Sequence, residues 1–229
     1  MQFINKLLII SALNNLIFFD MNDFDNKAAE WDMNSMHWDR SKAIANEIIK
    51  LIPLNKEMRA LEYGAGTGIT AFLLHDYLKE IVLMDNSAEM VRVINEKIIK
   101  SEVKNLTALN FNLEMDDYKD GKFDLIFTQM VLHHINDIDK IISTFYNLLN
   151  LESYLVIADL YEEDGSFHGD GFTGHTGFNM DSLSGILRKN CFSDVFHETC
   201  FVIDRKISET ESKKFEVFIM IAKKQKTIS

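Results

Sequence analysis

Three glycines at alternate positions are the residues of this chain best suited to binding chemistry. The segment Arg59–Thr70 reads RALEYGAGTGIT, an apolar strand that runs into Gly64, Gly66 and Gly68 and then into an amphipathic helix. Because glycine has no Cβ, its backbone can turn with positive φ and approach a ligand more closely than other residues allow. The pattern predicts a loop that cradles a nucleotide.

The spacing of these glycines separates two kinds of nucleotide ligand. A dinucleotide-binding loop follows G-x-G-x-x-G, which requires a third glycine where this chain has Ile69. The third glycine is Gly68, one residue earlier, and Glu62 stands two residues before the first. The run resembles the E/D-x-G-x-G-x-G motif of class I S-adenosylmethionine-dependent methyltransferases. The resemblance implies that Glu62 and the three glycines bind S-adenosylmethionine.

A second candidate binding residue, Asp85, ends the apolar run Ile81–Asp85, and 85 − 68 places it 17 residues after Gly68. Ligands of doubly wound sheets bind beyond the carboxyl ends of the strands, where an acidic residue accepts hydrogen bonds from the ribose hydroxyls. We therefore expect Asp85 to bind the cofactor ribose. The alternative is a plain acid at a helix N-terminus before Ser87.

Three more cofactor contacts follow from the resemblance. Asn112 follows the strand Leu106–Phe111 where the family usually has an acid that accepts from the adenine amino group, and an amide carbonyl can still accept there. A polar turn residue is the other interpretation of Asn112. Leu113 would offer adenine a backbone N–H and an apolar wall, and Gln129 would line the pocket beside the methionine part.

A pair of histidines closes the segment Gly121–Ile135, which is similar to the family's fourth strand and its exit, the "FDLI…LHH" run. One of His133 and His134 could face the substrate. A histidine that packs under the loop is the commoner outcome.

A glycine-rich loop, Asp159–Phe178, follows the fifth predicted strand and holds five of the ten glycines. Such a long loop is typically functional. It resembles the "EDGSFH…H.GF" loop of a subgroup of uncharacterised small-molecule-type methyltransferases, whose opening is similar to Phe24–Asp32. This likeness implies an activity class and no substrate.

Two histidines of this loop, His168 and His175, are the candidate catalytic residues. A neutral imidazole can accept a proton from a hydroxyl, thiol or acidic carbon, and a purely structural histidine is the alternative. Metal ligation together with Asp170 would need a recognised ligand spacing, which H-x-D plus a histidine seven residues on is not. We therefore expect no metal site.

Composition limits the class of partner and compartment. The formal charge is −11 over 229 residues, which argues against nucleic-acid binding through a basic face. Two cysteines form no disulfide framework or zinc spacing, which suggests a reducing, cytoplasmic location. The apolar stretch Met1–Phe19 fits neither a signal peptide nor a membrane span, so we expect an over-extended start before Met21 and no stable membrane association. A weak membrane-surface helix is the second interpretation of this stretch.

Strand and helix patterns alternate along the chain and predict an α/β, Rossmann-like, doubly wound sheet of seven strands. The resemblance implies that the sheet is mostly parallel, with an antiparallel C-terminal strand. Helices are predicted at 41–52, 67–78, 88–100, 137–149 and 181–189, and strands at 59–63, 81–84, 106–111, 123–128, 154–160, 194–205 and 215–223.

The resulting prediction is an uncertain extension at 1–20 and a methyltransferase domain at 21–229. Its parts are a lid and helix (21–53), a cofactor-binding half (54–160), and a substrate loop with a C-terminal hairpin (161–229). Trp31, His37 and Trp38 close over the cofactor as a lid or pack against the sheet edge. The expected activity is methyl transfer from S-adenosylmethionine to a small molecule. A non-catalytic S-adenosylmethionine sensor is the alternative, an NAD-dependent oxidoreductase is third, and the oligomeric state is open.

Overall fold

Seven strands and, after the helical residues 24–27, five further α-helices form within residues 24–225, which are the residues that the computed structural model describes. The strands are β1 (Arg59–Tyr63), β2 (Glu80–Asp85), β3 (Leu106–Asn110), β4 (Phe123–Gln129), β5 (Leu149–Leu160), β6 (Ser193–Lys206) and β7 (Ser212–Lys224). The helices are α1 (Ser35–Leu51), α2 (Ile69–Leu74), α3 (Ala88–Ser101), α4 (Ile138–Leu148) and α5 (Met180–Lys189). Short 3-10 helices span Ala28–Met33, His75–Tyr77 and Leu132–His134. The interpretation of Met1–Phe19 lies outside the described residues.

The sheet has the strand order β3-β2-β1-β4-β5-β7-β6. Strands β1 to β5 pair in parallel, and β7 lies antiparallel between β5 and β6. The predicted fold class is therefore confirmed, including the antiparallel C-terminal strand. None of the helices in this part of the chain is both long and apolar enough to cross a membrane.

Apolar side chains cover both faces of the sheet. On one face, Ile44 and Ile48 of α1 belong to a buried cluster with Leu83 of β2, and on the other, Phe145 of α4 packs with Ile126 of β4. Central parallel strands that are buried on both faces read as continuous apolar runs, which is why β2 and β4 were recognisable in the sequence.

Two element boundaries differ from the prediction by five residues or more. Helix α1 begins at Ser35, six residues early, because the side chain of Asn34 accepts a hydrogen bond from Met36 N and caps it. Strand β5 begins at Leu149, five residues early, because Leu149 pairs with Phe123 before a register shift in β4. Tertiary pairing and a local cap thus decide ends that periodicity leaves open.

The carboxyl ends of the parallel strands lie along one edge of the sheet. Asp85 ends β2, Gln129 ends β4, and the last two residues of β5 are Asp159 and Leu160. This edge brings together the polar residues that the sequence analysis singled out.

Candidate functional site

The glycine loop requires glycine for two reasons, close packing and backbone conformation. Gly64 has a φ of +69°, and a Cβ there would lie 2.2 Å from Val131 Cγ2. Gly66 has a φ of +55°, but a Cβ there would meet only Trp31 Nε1, at 3.9 Å. The first glycine is therefore required by packing, and the second by backbone conformation. Gly68 also has a positive φ and precedes α2 as its N-cap.

Asp85 connects the end of β2 to this loop. Its Oδ2 accepts a hydrogen bond from Gly66 N at 2.7 Å, and its Oδ1 accepts one from Ser87 N at 2.9 Å. Burial raises the pKa of Asp85 to about 6. The cap of α3 is Ser87, whose Oγ accepts from Met90 N at 3.1 Å. A helix-capping role therefore belongs to Ser87, and the Asp85 carboxylate holds the loop.

Glu62 is a buried carboxyl beside the same loop. Its Oε2 accepts a hydrogen bond from Ala71 N of α2 at 3.1 Å, whereas Oε1 is buried and has no hydrogen-bond partner within residues 24–225. Burial raises the pKa of Glu62 to about 8. An acceptor atom left without a partner in the protein is suited to a ligand that donates a hydrogen bond.

The segment before α1 lies against the glycine loop. Asp32 accepts hydrogen bonds from Thr67 Oγ1 at 2.5 Å and from Lys97 Nζ at 2.8 Å, and Lys97 Nζ also donates to Thr67 O at 2.8 Å. Trp31 stacks on His37 with ring centroids 4.1 Å apart. These contacts join the segment to the glycine loop, and its role as a lid over the cofactor stays a prediction.

The predicted adenine contacts lie after β3. Asn112 Oδ1 accepts hydrogen bonds from Glu114 N at 2.9 Å and from the Tyr63 hydroxyl at 3.3 Å. Leu113 is buried. The Asn112 side chain therefore closes a local turn, as the alternative interpretation holds, and its contact with adenine stays a prediction.

Gln129 lies between two elements at the exit of β4. Its Nε2 donates to Thr70 Oγ1 of α2 at 2.5 Å and to Ser41 Oγ of α1 at 3.1 Å. These bonds connect α1 and α2 over the end of β4. Gln129 is thus fixed in orientation on the same edge as the glycine loop.

A buried His133–Asp159 pair connects the exits of β4 and β5. Asp159 Oδ1 accepts from His133 Nδ1 at 2.6 Å, and both side chains are almost fully inaccessible to solvent. Burial alone would raise the pKa of Asp159, but its contacts with His133 outweigh burial and lower that pKa. The expectation of a histidine packed under the loop describes His133.

His168 belongs to the same cluster, although it comes from the glycine-rich loop. Its ring centroid lies 4.9 Å from that of His133 and 5.6 Å from that of His134, and its face stacks on Phe172 at 3.7 Å. Burial, assisted by the neighbouring histidines, lowers the pKa of His168 to about 3. The loop therefore delivers a neutral imidazole to the ends of β4 and β5.

The second predicted catalytic residue, His175, is held by backbone groups. Its Nε2 lies 3.0 Å from Ile135 O, and its backbone N–H donates to His133 O at 2.8 Å. His175 thus anchors the loop beside the cluster, and Asp170 is exposed. One ring nitrogen of His175 is therefore engaged with a backbone carbonyl, and a proton-accepting role for either His168 or His175 stays a prediction.

Comparisons with known proteins agree with this geometry. A family model described as a methyltransferase domain matches residues 54–223. This chain belongs to the class I S-adenosylmethionine-dependent methyltransferase family. Its members use S-adenosylmethionine as the cofactor, and a Haemonchus contortus phosphoethanolamine N-methyltransferase 2 solved with that ligand has a TM-score of 0.64 to this chain at 17% identity. That match covers 80% of this chain and 52% of the nematode chain.

Two further relatives are uncharacterized methyltransferases. One, from Schizosaccharomyces pombe, is 30% identical over an alignment of 154 residues. The match covers 60% of this chain and 54% of the relative. The chain thus spans about half the length of this curated relative. The structure of YcgJ from Bacillus subtilis has a TM-score of 0.65 at 17% identity and covers 80% of this chain and 98% of its own. At such identities the structural likeness shows the fold alone.

Arg40 of this chain was missed by the sequence analysis. It lies on α1 and is 6% exposed, and its Nε is buried with no hydrogen-bond partner in the described part of the chain. Burial lowers the pKa of Arg40 to about 10, and the charge of Asp159 opposes that shift. The sequence feature that could have identified Arg40 is its spacing, because a cation four residues before Ile44 lies on the buried face of the helix.

Asp159 was also missed as a site residue. It follows the run Leu155–Ala158 at the end of a parallel strand, the same position that Asp85 has in β2. An acid after an apolar run at this edge points to the ligand side of the sheet, which was a usable signal.

Proposed function

We propose that this chain transfers the methyl group of S-adenosylmethionine to a small-molecule acceptor. The observation behind the proposal is the contact between Gly66 and Asp85, because it joins the glycine loop and the acidic end of β2 in one cleft. The cofactor has an ammonium group and two ribose hydroxyls that donate hydrogen bonds. Glu62 and Asp85 are buried carboxyls that accept them, so donors and acceptors match.

In this proposal, different site residues bind different parts of the cofactor. Glu62 and the glycine loop hold the methionine part, Asp85 holds the ribose, and Asn112 with Leu113 contacts the adenine. Gln129 lies beside the methyl group. Residues 21–53 serve as lid and helix, residues 54–160 bind the cofactor, and residues 161–229 supply the acceptor loop and the hairpin.

The protein's part in the reaction is alignment and exclusion of water. When bound, S-adenosylmethionine supplies a methyl group on a positively charged sulfur, whose bond to carbon breaks as a lone pair of the acceptor forms the new bond. The glycine-rich loop and the segment that contains Trp31 cover the two sides of the cleft. They hold the acceptor in line and keep water out.

A small acceptor fits the polar end of β4 and β5. The loop is fitted closely there, because a Cβ at Gly174 would lie 2.3 Å from His133 O. The same end of the sheet holds the cluster of His133, His134 and His168, and Asp159 of this end acts electrostatically on the buried cation Arg40. A half-buried polar site of this kind suits a small molecule, and the formal charge of −11 disfavours nucleic acid.

Calorimetry with S-adenosylhomocysteine, S-adenosylmethionine and NAD tests the cofactor assignment. We expect saturable binding of both adenosyl ligands and none of NAD. Saturable NAD binding without a response to either adenosyl ligand would refute the assignment. A methylation assay with labelled cofactor and a metabolite extract then tests the activity. Cofactor binding without label transfer to any small molecule would support the sensor alternative.

A further inference from the structure

We propose that His133, His134 and His168 bind a divalent transition metal, with zinc as the best match. One ring nitrogen from each residue lies within 4.8 Å of those of the other two. Ligand nitrogens of a tetrahedral zinc site are about 3.4 Å apart, for metal–nitrogen bonds of about 2.0–2.1 Å. Closing the site therefore requires any two of these nitrogens to approach by at most about 1.4 Å.

Asp159 supplies the outer support that a histidine ligand requires. Histidines that ligate metals usually donate the other ring N–H to a carboxylate or a carbonyl, which fixes the tautomer and the ring orientation. His133 Nδ1 lies 2.6 Å from Asp159 Oδ1, and both side chains are buried. With Nδ1 donating to Asp159, His133 presents the lone pair of Nε2 to the metal.

His168 has a ring nitrogen that the protein does not use. Its Nδ1 is buried and has no hydrogen-bond partner among residues 24–225. Leaving a buried polar atom without a partner is unfavourable, and coordination removes that cost. Phe172 stacks on the ring at 3.7 Å with 10° between the planes, so the ring is already oriented.

The loop that carries His168 can make the required adjustment. Gly169 and Gly171, directly after it, have positive φ, and no atom lies within 4 Å of a Cβ built at either. The backbone on the C-terminal side of His168 is therefore free of close packing. A shift of up to about 1.4 Å in this part of the loop needs no rearrangement of the core.

The cluster has the form of a reactive metal site. His133 is buried, whereas His134 and His168 are half-buried, so three protein ligands leave one side open. Three ligands with an open position characterise catalytic zinc, while structural sites are closed by four. Resting on the proposed function, the open position binds the acceptor's hydroxyl, thiol or imidazole. The metal lowers its pKa, and its proton passes to solvent before methyl transfer. His168 is then a ligand and not the base.

Metal titration of the full-length protein without an affinity tag tests the proposal. Zn²⁺ is titrated against a chromophoric chelator, and Co²⁺ is followed by its visible absorption, which reports imidazole ligands and coordination geometry. We expect one ion per chain. His134→Ala and His168→Ala should each lower the affinity at least about 100-fold, and Asp159→Asn about 10–100-fold.

Two matched variants control for other ligands. His197→Ala removes an exposed histidine of β6, and Cys191→Ser removes an exposed thiol. Both should leave the affinity unchanged. The proposal is overturned if wild-type protein gives neither saturable zinc binding nor an imidazole-type Co²⁺ spectrum, or if binding survives both His134→Ala and His168→Ala.

Cofactor binding measured on the same samples separates this proposal from the proposed function. Variants that keep S-adenosylhomocysteine affinity are folded, so their loss of zinc is specific. If the protein binds zinc but does not bind S-adenosylhomocysteine, the methyltransferase assignment is refuted and the metal site is still supported.

Discussion

The amide of Gly66 donates a hydrogen bond of 2.7 Å to Asp85 Oδ2, so the central glycine of the loop is fixed to the end of the neighbouring strand. The other oxygen of the same carboxylate accepts from Ser87 N. One carboxyl therefore holds both the loop and the start of α3. The geometry of the cleft depends on the charge of that carboxyl.

Cofactor affinity should weaken in mild acid. Burial raises the pKa of Asp85 to about 6, and a protonated carboxyl is a weaker acceptor for the ribose hydroxyls. As the pH falls through this value, the affinity for S-adenosylhomocysteine should drop by up to about tenfold between pH 7 and pH 5. Calorimetry measures the profile, and circular dichroism verifies that the protein stays folded.

Two substitutions test whether Asp85 is the titrating group. Asp85→Asn should give a flat profile, and Asp85→Ala should weaken binding by about 1.5–3 kcal/mol, the scale of a hydrogen bond to a charged group. Asp76→Asn, at an exposed site after α2, should behave as wild type. An unchanged affinity in Asp85→Ala would make Asp85 a turn residue only.

Glu62 should make the free energy of unfolding fall as the pH rises. Burial raises its pKa from 4.5 to about 8, so between these values the folded state holds a proton that the unfolded state has released. Stability from the protonated form is complete below about pH 4.5 and is lost towards pH 8. Urea denaturation at several pH values should show a shallower decline for Glu62→Gln than for wild type. The exposed control Glu57→Gln should keep the full slope, and equal slopes for all three proteins would contradict the prediction.

Gly64→Ala should destabilise the protein more than Gly66→Ala. Both substitutions should lower the free energy of unfolding by about 1–2 kcal/mol, because alanine is strained in a left-handed backbone conformation. In Gly64→Ala the new Cβ also overlaps Val131, which should lower it by about 1–3 kcal/mol more. Adding Val131→Ala to Gly64→Ala should recover the overpacking part, net of that substitution's own cost. Urea denaturation of the wild type, Gly64→Ala, Val131→Ala and the double variant measures the coupling between positions 64 and 131. Additive effects of the two substitutions would show that the steric overlap is relieved elsewhere in the structure.

The Asp32–Lys97 contact should slow release of the cofactor. Lys97 joins Asp32 of the lid segment to Thr67 of the glycine loop. Removing the Lys97 ammonium should destabilise the closed position of the segment by about 1 kcal/mol, which corresponds to a roughly fivefold faster dissociation of the cofactor. Stopped-flow displacement followed by tryptophan fluorescence measures the rate for Lys97→Met. The exposed control Lys100→Met should match wild type. A dissociation rate unaffected by Lys97→Met would mean that the segment does not act as a lid.

The two loop histidines should differ in their effect on turnover. His168→Ala and His175→Ala are both expected to keep S-adenosylhomocysteine affinity within about 1 kcal/mol, while at least one lowers turnover by about 10²–10⁴-fold. His168 should have the larger effect, because His175 Nε2 is engaged with Ile135 O. Label transfer to an acceptor found in the extract measures both rates. Full activity in both variants would remove these histidines from the mechanism.

The sequence predicted the cofactor side of the site because its signals are local. Gly64, Gly66 and Gly68 lie within five residues, and Asp85 ends the next strand of the same βαβ unit. The chain needs no distant contact to bring them together, since the parallel pairing of β1 and β2 suffices.

The histidine cluster could not be predicted in the same way. His133 and His134 follow β4, whereas His168 belongs to a loop that tertiary contacts hold over them, among them the hydrogen bond from His175 N to His133 O. This contact spans 42 residues (175 − 133) and has no periodic signature. The absence of a metal was expected from spacing along the chain, and that criterion does not detect ligands from separate loops.

The position of β7 has a consequence for synthesis on the ribosome. Strand β7 lies between β5 and β6, so β6 has no partner in the sheet until residues 212–224 are available. Until then the emerging chain exposes the edge of β5, an apolar strand that other chains could pair with. We therefore expect nascent chains that stop before Ser212 to associate with chaperones, and the sheet to close only when the last strand inserts.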